Sequence, residues 1–167
     1  SMMQMIAHGF SSGALFLSFG YIYHHLKERD IAQYGGISQV APYLSACFMV
    51  FCLSNVGLPG TAGFVGEFMV IISSAQASPI ITVFAATTLI LSASYTLWMY
   101  RRVFYGNPSD LVINLKDING YFLYILLGLA GLIIMAGCYP SLILDYLSLS
   151  SKTVIDQGLL SKTPLLL

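Results

Sequence analysis

The chain contains 167 residues, of which 57% are hydrophobic and only 8% are charged. Soluble domains carry about 25% charged residues, so this composition predicts an integral membrane protein. The seven Lys and Arg residues balance the seven Asp and Glu residues, which excludes a strongly basic surface for nucleic acid. The three cysteines lie in apolar runs without a Cys-x-x-Cys pair, and they are interpreted as inert buried thiols.

The first apolar run covers residues 2–23 and is long enough to cross a bilayer as a helix. His8 is the one residue in this run that titrates near neutral pH. A histidine in a membrane span is either a hydrogen-bonded packing residue or a proton-relay group, because imidazole changes charge near physiological pH. The residues alone leave both interpretations open.

The second apolar run, residues 43–73, exceeds the roughly 17–25 residues that a membrane-spanning helix needs. Gly57-Leu58-Pro59-Gly60 lies at its middle. Proline removes a backbone donor and glycine adds backbone freedom, so the run is predicted to be a helix broken at Pro59 and Gly60. Half-helices that meet at mid-membrane are typical of transporters, in which they line an ion path.

Glu67 is the only charged residue of the second run. A lone carboxylate inside a membrane span is costly and therefore predicts a functional site. A carboxyl group out of water favours its neutral form, so Glu67 would gain and lose a proton as its surroundings change. Gly60, Gly63 and Gly66 are three residues apart, and we expect them to let another backbone come close to Glu67.

Two further runs complete the predicted fold. The third ends in an aromatic and basic cluster typical of a membrane interface. The fold class is therefore all-α and integral to the membrane, with four transmembrane helices at about 2–23, 43–73, 80–104 and 121–145. Residues 1–146 are predicted to form the membrane domain and residues 147–167 a C-terminal surface tail.

The loops after the first and third helices lie on one side in this arrangement. They hold five Lys and Arg residues, against two on the opposite side. The positive-inside rule then predicts that these long loops face the matrix or cytoplasm, with both termini on the opposite side.

Two patterns that could suggest ligand sites are rejected. His24 and His25 are adjacent, without the i,i+4 spacing of a helical metal site, so no metal is expected. The glycines around the helix break follow no strand and lie in apolar sequence, which argues against a phosphate-binding loop.

Four motifs together resemble a known family. They are residues 2–9 (Met-Met-Gln-Met-Ile-Ala-His-Gly), residues 57–61 (Gly-Leu-Pro-Gly-Thr), residues 64–68 (Phe-Val-Gly-Glu-Phe) and Tyr139-Pro140. The chain thereby resembles subunit 4 of respiratory NADH:ubiquinone oxidoreductase (complex I), an antiporter-like, proton-pumping membrane subunit. The resemblance runs from residue 2 to about residue 146 and implies part of the second five-helix repeat of the antiporter-like fold.

The resemblance also implies roles for individual residues. Glu67 matches the glutamate that marks subunit 4, where sister subunits generally carry lysine, and it would transfer the proton. His8 matches a histidine on the family's central hydrophilic axis and would relay protons to Glu67. Pro59 and Gly60 would keep the helix break open. The chain itself would hold no cofactor, because flavin and iron–sulfur clusters are expected in partner subunits.

The resemblance further implies partners and a location. The family's earlier helices are missing, so we expect a separate chain to supply the N-terminal portion of the subunit, beside other antiporter-like subunits of complex I. Membrane lipid, such as cardiolipin, is expected near Arg101 and Arg102. The tyrosine and phenylalanine content and the loop at 117–120 favour the mitochondrial inner membrane, with a bacterial plasma membrane as the alternative.

The predicted function is therefore that of a non-redox, proton-translocating membrane-arm subunit of complex I, which supplies a distal half-channel. A subunit of a multi-subunit cation/proton antiporter or of a membrane-bound hydrogenase is one alternative, against which Glu67 and Tyr139-Pro140 argue. A purely structural membrane-arm component is another, against which intact His8 and Glu67 argue.

Overall fold

The computed structural model describes residues 2–147, and every regular element in this range is helical. A 3-10 turn, Ile31–Gln33, follows the first helix. The α-helices are α1 (Met2–Leu26), α2 (Ile37–Val40), α3 (Pro42–Asn55), α4 (Ala62–Ala77), α5 (Pro79–Phe104) and α6 (Gly120–Cys138). Helical residues resume at 141–147. The predicted tail is 147–167, and its residues 148–167 lie outside the described residues.

Three of these helices, α1, α5 and α6, are long and apolar enough to cross a membrane. The shorter apolar helices α3 and α4, of 14 and 16 residues, share the predicted second run between them. The prediction of an all-α membrane fold is thereby confirmed.

The predicted break of the second run is present between Asn55 and Ala62. The backbone N–H of Gly57 donates to the carbonyl of Ser54 at 3.2 Å and closes the last turn of α3. Gly57 and Gly60 have φ angles of +76° and +93°. These angles favour glycine, because in any other residue the Cβ atom would come too close to the backbone carbonyl oxygen. The chain can therefore leave α3 and re-enter a helix within six residues, 56–61.

The fourth predicted helix, 121–145, is divided. Helix α6 ends at Cys138, and helical residues resume only at 141. Pro140 explains the division, since it has no backbone N–H and its ring disfavours helical backbone angles at Tyr139. Tyr139 accordingly has φ −124° and ψ 62°.

The core forms around α3. Phe48 is fully buried, and its ring centroid lies 4.9 Å from that of Phe19 and 4.7 Å from that of Phe104. Tyr100 stacks on Phe104 at 4.5 Å, and its hydroxyl donates to the carbonyl of Ser45 at 3.1 Å. These contacts hold the C-terminal end of α5 against α3.

The remainder of α5 packs on α4 but is otherwise largely exposed. Only 6% of the apolar stretch of α5 that could span a membrane is buried, against 28% for α1 and 22% for α6. The side chains that it exposes include Ile81, Phe84 and Leu91. This apolar surface must be covered by lipid or by other protein.

The loops after α1 and after α5 meet at one end of the molecule. The backbone N–H of Gly36 donates to the carbonyl of Tyr105 at 3.1 Å, and the Ser109 hydroxyl donates to the carbonyl of Gln33 at 2.9 Å. Both loops therefore lie on the same side of the helices.

Asp117, from the loop before α6, caps the N-terminus of α3. Its carboxylate accepts hydrogen bonds from the backbone N–H groups of Tyr43 at 2.8 Å and Leu44 at 3.1 Å. The first N–H groups of a helix have no partner within the helix, and the positive end of its dipole favours an anion. Asp117 thus ties this loop to the core helix.

Replacement of Asp117 by alanine is expected to lower stability by about 1–2 kcal/mol, because two helix N–H groups lose their acceptor. The apparent unfolding temperature of the assembly in mild detergent measures the loss. Asp110→Ala removes an exposed carboxylate from the same loop and should have little effect. Equal losses for the two variants would contradict the capping role.

Candidate functional site

Glu67 lies in the second turn of α4, on the border of a face of small residues. Ala62, Gly63 and Gly66 on this face are buried, and Glu67 itself is half-buried. A Cβ atom at Gly63 would overlap the carbonyl oxygen of Ser54, and one at Gly66 would lie 2.7 Å from Cα of Gln4. The expectation that glycines allow a backbone close to Glu67 is thereby confirmed for Gly63 and Gly66.

Gly60 does not share this role. A Cβ atom there would meet nothing within 4 Å, although the φ angle is positive. Pro59 and Gly60 are exposed, and neither lines the two cavities described below. The structure therefore assigns them to the turn and not to the surroundings of the carboxyl group.

The carboxyl group of Glu67 reaches back to the helix break. Side chains of an α-helix tilt towards its N-terminus, which brings this group towards the end of α3. A Cβ atom at Gly57 would overlap Oε2 of Glu67. Glycine at position 57 thus provides both the turn and the space in which the carboxyl group lies.

His8 and Glu67 line the same cavity, of about 200 Å³, between α1, α4, α5 and the end of α3. His8 is exposed, so the cavity is open on the His8 side. Its polar lining also includes Gln4, Ser11, Ser54, Asn55, Ser92 and Tyr95. The structure therefore brings together the two titratable residues that the sequence singles out.

A second cavity, of about 510 Å³, extends from Glu67 along α4 and α5. Its lining is more apolar and includes Val70, Ile71 and Leu89. Gln4, Glu67, Ser92 and Tyr95 line both cavities, so the carboxyl group lies where the two spaces meet.

Most of the polar residues around Glu67 were not predicted from the sequence. On α1, Gln4, His8 and Ser11 occur at i, i+4 and i+7, which places them on one helix face. The Ser11 hydroxyl forms a buried hydrogen bond of 2.7 Å with that of Ser54. Polar residues at helical spacing in an otherwise apolar run were the signal that could have found this face.

The site offers carboxyl, imidazole, amide and hydroxyl groups around a space large enough for water. Within residues 2–147, no group of three or more His, Cys, Asp and Glu residues could hold a metal ion. These groups both donate and accept hydrogen bonds, which is the chemistry that a proton relay requires.

Comparison with known proteins gives a consistent result. The family model described as NADH:quinone oxidoreductase/Mrp antiporter, TM, matches residues 1–92. NADH-quinone oxidoreductase subunit M of Rhodobacter capsulatus is 41% identical over 93% of this chain, and NADH-ubiquinone oxidoreductase chain 4 of Arabidopsis thaliana is 35% identical over 95%. The chain spans 31% and 32% of these relatives, about a third of their length.

Solved structures share the fold. A chain of respiratory complex I from Thermus thermophilus with bound NADH is 32% identical, with a TM-score of 0.73 over 80% of this chain and 28% of that one. A chain of the Mrp complex from Dietzia is 21% identical, with a TM-score of 0.71 over 83% of this chain and 34% of that one. The second likeness shows the fold alone.

Replacement of Gly57 by alanine is expected to displace the Glu67 carboxyl group, because the added methyl overlaps Oε2. A hydrophobic carbodiimide, which modifies protonated carboxyl groups, should then label Glu67 faster, as read by peptide mass spectrometry. Gly60→Ala is the matched control: both variants bear a strain of about 1–2 kcal/mol at positive φ, but only position 57 touches Glu67. Identical labelling in the two variants would contradict the contact.

Proposed function

The chain belongs to the NADH:quinone oxidoreductase/Mrp antiporter transmembrane family, and on this premise we propose that it is a proton-translocating membrane-arm subunit of complex I. In this proposal it supplies a distal half-channel. The observation that carries the proposal is the polar cavity that joins His8 on α1 to Glu67 at the helix break. Relatives named subunit M and chain 4 of this oxidoreductase, which match over 93–95% of the chain, also support it.

Glu67 is the proton-transfer group in the proposed mechanism. Its half-buried position against Gly57 disfavours a permanent negative charge, so its protonation responds to nearby charges. A unit charge appearing about 10 Å away changes the energy of the carboxylate by about 1.7 kcal/mol at an effective dielectric constant of about 20. Moving one charge against 100 mV costs about 2.3 kcal/mol, which is of the same order.

His8 relays protons to Glu67 in this mechanism. A neutral imidazole accepts a proton at one nitrogen and donates from the other, so it can pass a proton without moving far. The cavity that the two residues line, of about 200 Å³, is large enough to hold water. Pro59 and Gly60 contribute indirectly, because the turn that contains them separates α3 from α4.

The redox reaction belongs to other subunits in this proposal. Partner subunits would hold the flavin and iron–sulfur clusters that supply NADH oxidation and ubiquinone reduction, and the energy would reach this chain as a change of charge along the membrane arm. The part of this chain in the enzyme is proton transfer alone.

We propose two protein partners for the chain. One is a separate chain that carries the N-terminal portion of the same subunit, and the other is a neighbouring antiporter-like subunit. The exposed side of His8 and the uncovered surface of α5 support the need for such neighbours. A proton path that is open on the His8 side needs further helices to enclose it.

The proposed location is the mitochondrial inner membrane, with a bacterial plasma membrane as the alternative, and with both long loops on the matrix or cytoplasmic side.

Arg101 and Arg102 lie at the end of α5 and, with Trp98 and Tyr105, line a cavity of about 230 Å³. This cavity suits the phosphate of an anionic lipid such as cardiolipin. Glutamine at both arginine positions should lower the anionic lipid that copurifies, and unchanged lipid content would refute the site.

A cation/proton antiporter subunit is the second candidate function. The family description includes Mrp antiporters, and a chain of an Mrp complex shares the fold. Dependence of activity on sodium would favour this candidate over complex I.

Replacement of Glu67 by glutamine is expected to lower proton translocation by about tenfold or more, because the amide cannot carry the proton. His8→Gln should give a smaller loss, since water can partly replace the relay. Proton uptake by vesicles during NADH oxidation measures both effects. Glu28→Gln, at the only other glutamate of the sequence, is the control and should translocate normally.

Unchanged translocation in Glu67→Gln, with the assembly intact, would reject the pumping role. It would leave the purely structural membrane-arm component as the surviving explanation.

A further inference from the structure

Gln4, on α1, packs against Gly66, next to Glu67, and the proposed mechanism gives it no role. It precedes His8 by one helical turn, so the two residues share a face of α1. It also lines both cavities that meet at the Glu67 carboxyl group.

The packing of α1 on α4 fixes this position. Gly66 is adjacent to Glu67, and a Cβ atom there would lie 2.7 Å from Cα of Gln4 and would overlap its side-chain oxygen. The backbones of α1 and α4 therefore meet at Gln4 and Gly66, and this close approach places the Gln4 amide beside Glu67.

The two ends of the Gln4 amide have different surroundings. The side chain lines both cavities together with the Glu67 carboxyl group and contacts Gly66, the residue before Glu67. The amide oxygen, Oε1, is buried and has no hydrogen-bond partner among the described residues. A buried acceptor without a partner costs about 1–3 kcal/mol, so this oxygen lies ready for a donor.

We propose that Gln4 is a positioning residue that hydrogen-bonds the Glu67 carboxyl group in both of its protonation states. The amide has a donor end and an acceptor end. Its NH₂ group donates to the carboxylate, and its oxygen accepts from the O–H of the protonated form. The amide changes from one to the other by turning about its terminal torsion, which is broad and roughly two-fold.

The consequence for the site is that the carboxyl group keeps its place when it gains a proton. Without Gln4, the neutral group would be free to turn into the larger, more apolar cavity between α4 and α5, away from His8. The inference rests on the proposed function, because it deepens the role of Glu67.

The test compares two identical substitutions in the intact assembly. Gln4→Met keeps the length of the side chain and removes its strong hydrogen bonds, whereas Gln76→Met changes an exposed residue of α4. Infrared difference spectra record the carbonyl band of protonated Glu67, which is assigned by its absence in Glu67→Gln. We expect Gln4→Met to move this band to higher wavenumber, towards a carboxyl group without a hydrogen bond, and Gln76→Met to leave it in place.

Proton translocation is measured on the same samples. Gln4→Met should lower it severalfold at an unchanged amount of assembled complex. If that variant does not assemble, Gln4→Asn keeps the amide on a shorter side chain, and its band should move in the same direction by a smaller amount.

An unmoved band in Gln4→Met or, where that variant does not assemble, in Gln4→Asn would overturn the proposal, as would an equal movement in Gln76→Met. A failure of the proposed function would give a different combination of results. Normal translocation in Glu67→Gln together with a moved band in Gln4→Met would leave the hydrogen bond standing and remove its role in pumping.

Discussion

The contact between the Glu67 carboxyl group and Gly57 is the constraint on which the site depends. A carboxylate in a membrane span is costly, and here the carboxyl group reaches the break between α3 and α4. The left-handed backbone of Gly57 turns the chain and leaves the space that the carboxyl group fills. The helix break and the carboxyl group of Glu67 therefore form one structural unit.

The packing of the surrounding helices is built around this unit. Because Gly63 and Gly66 carry no side chains, α3 and α1 come close to α4 and present their polar groups to Glu67. Helices in a membrane gain little from the hydrophobic effect, so small residues and hydrogen bonds such as that of Ser11 with Ser54 hold them together. The same features that pack the helices thus build the polar cavity that His8 and Glu67 line.

The sequence predicted the elements that depend on local chemistry, and it missed those that depend on tertiary packing. Length and apolar character predict the helices, and Pro59 with Gly60 predicts the break. The facing of Gln4 and Ser92 towards Glu67 depends on how α1 and α5 pack, which a single sequence does not reveal. The cap of α3 by Asp117 joins positions 74 residues apart. The early end of α6 follows from Pro140, which was overlooked because the residues around it are hydrophobic.

The central claim is that this chain works as a membrane-arm subunit of an NADH:ubiquinone oxidoreductase. The most direct test is the native mass of the assembly that contains it, extracted in mild detergent, with identification of its companions by peptide mass spectrometry. The account predicts a large assembly with NADH oxidation activity, flavin and iron–sulfur subunits and a chain that carries the N-terminal portion of the subunit. Migration with cation-antiporter subunits alone, or as a small species without companions, would contradict it.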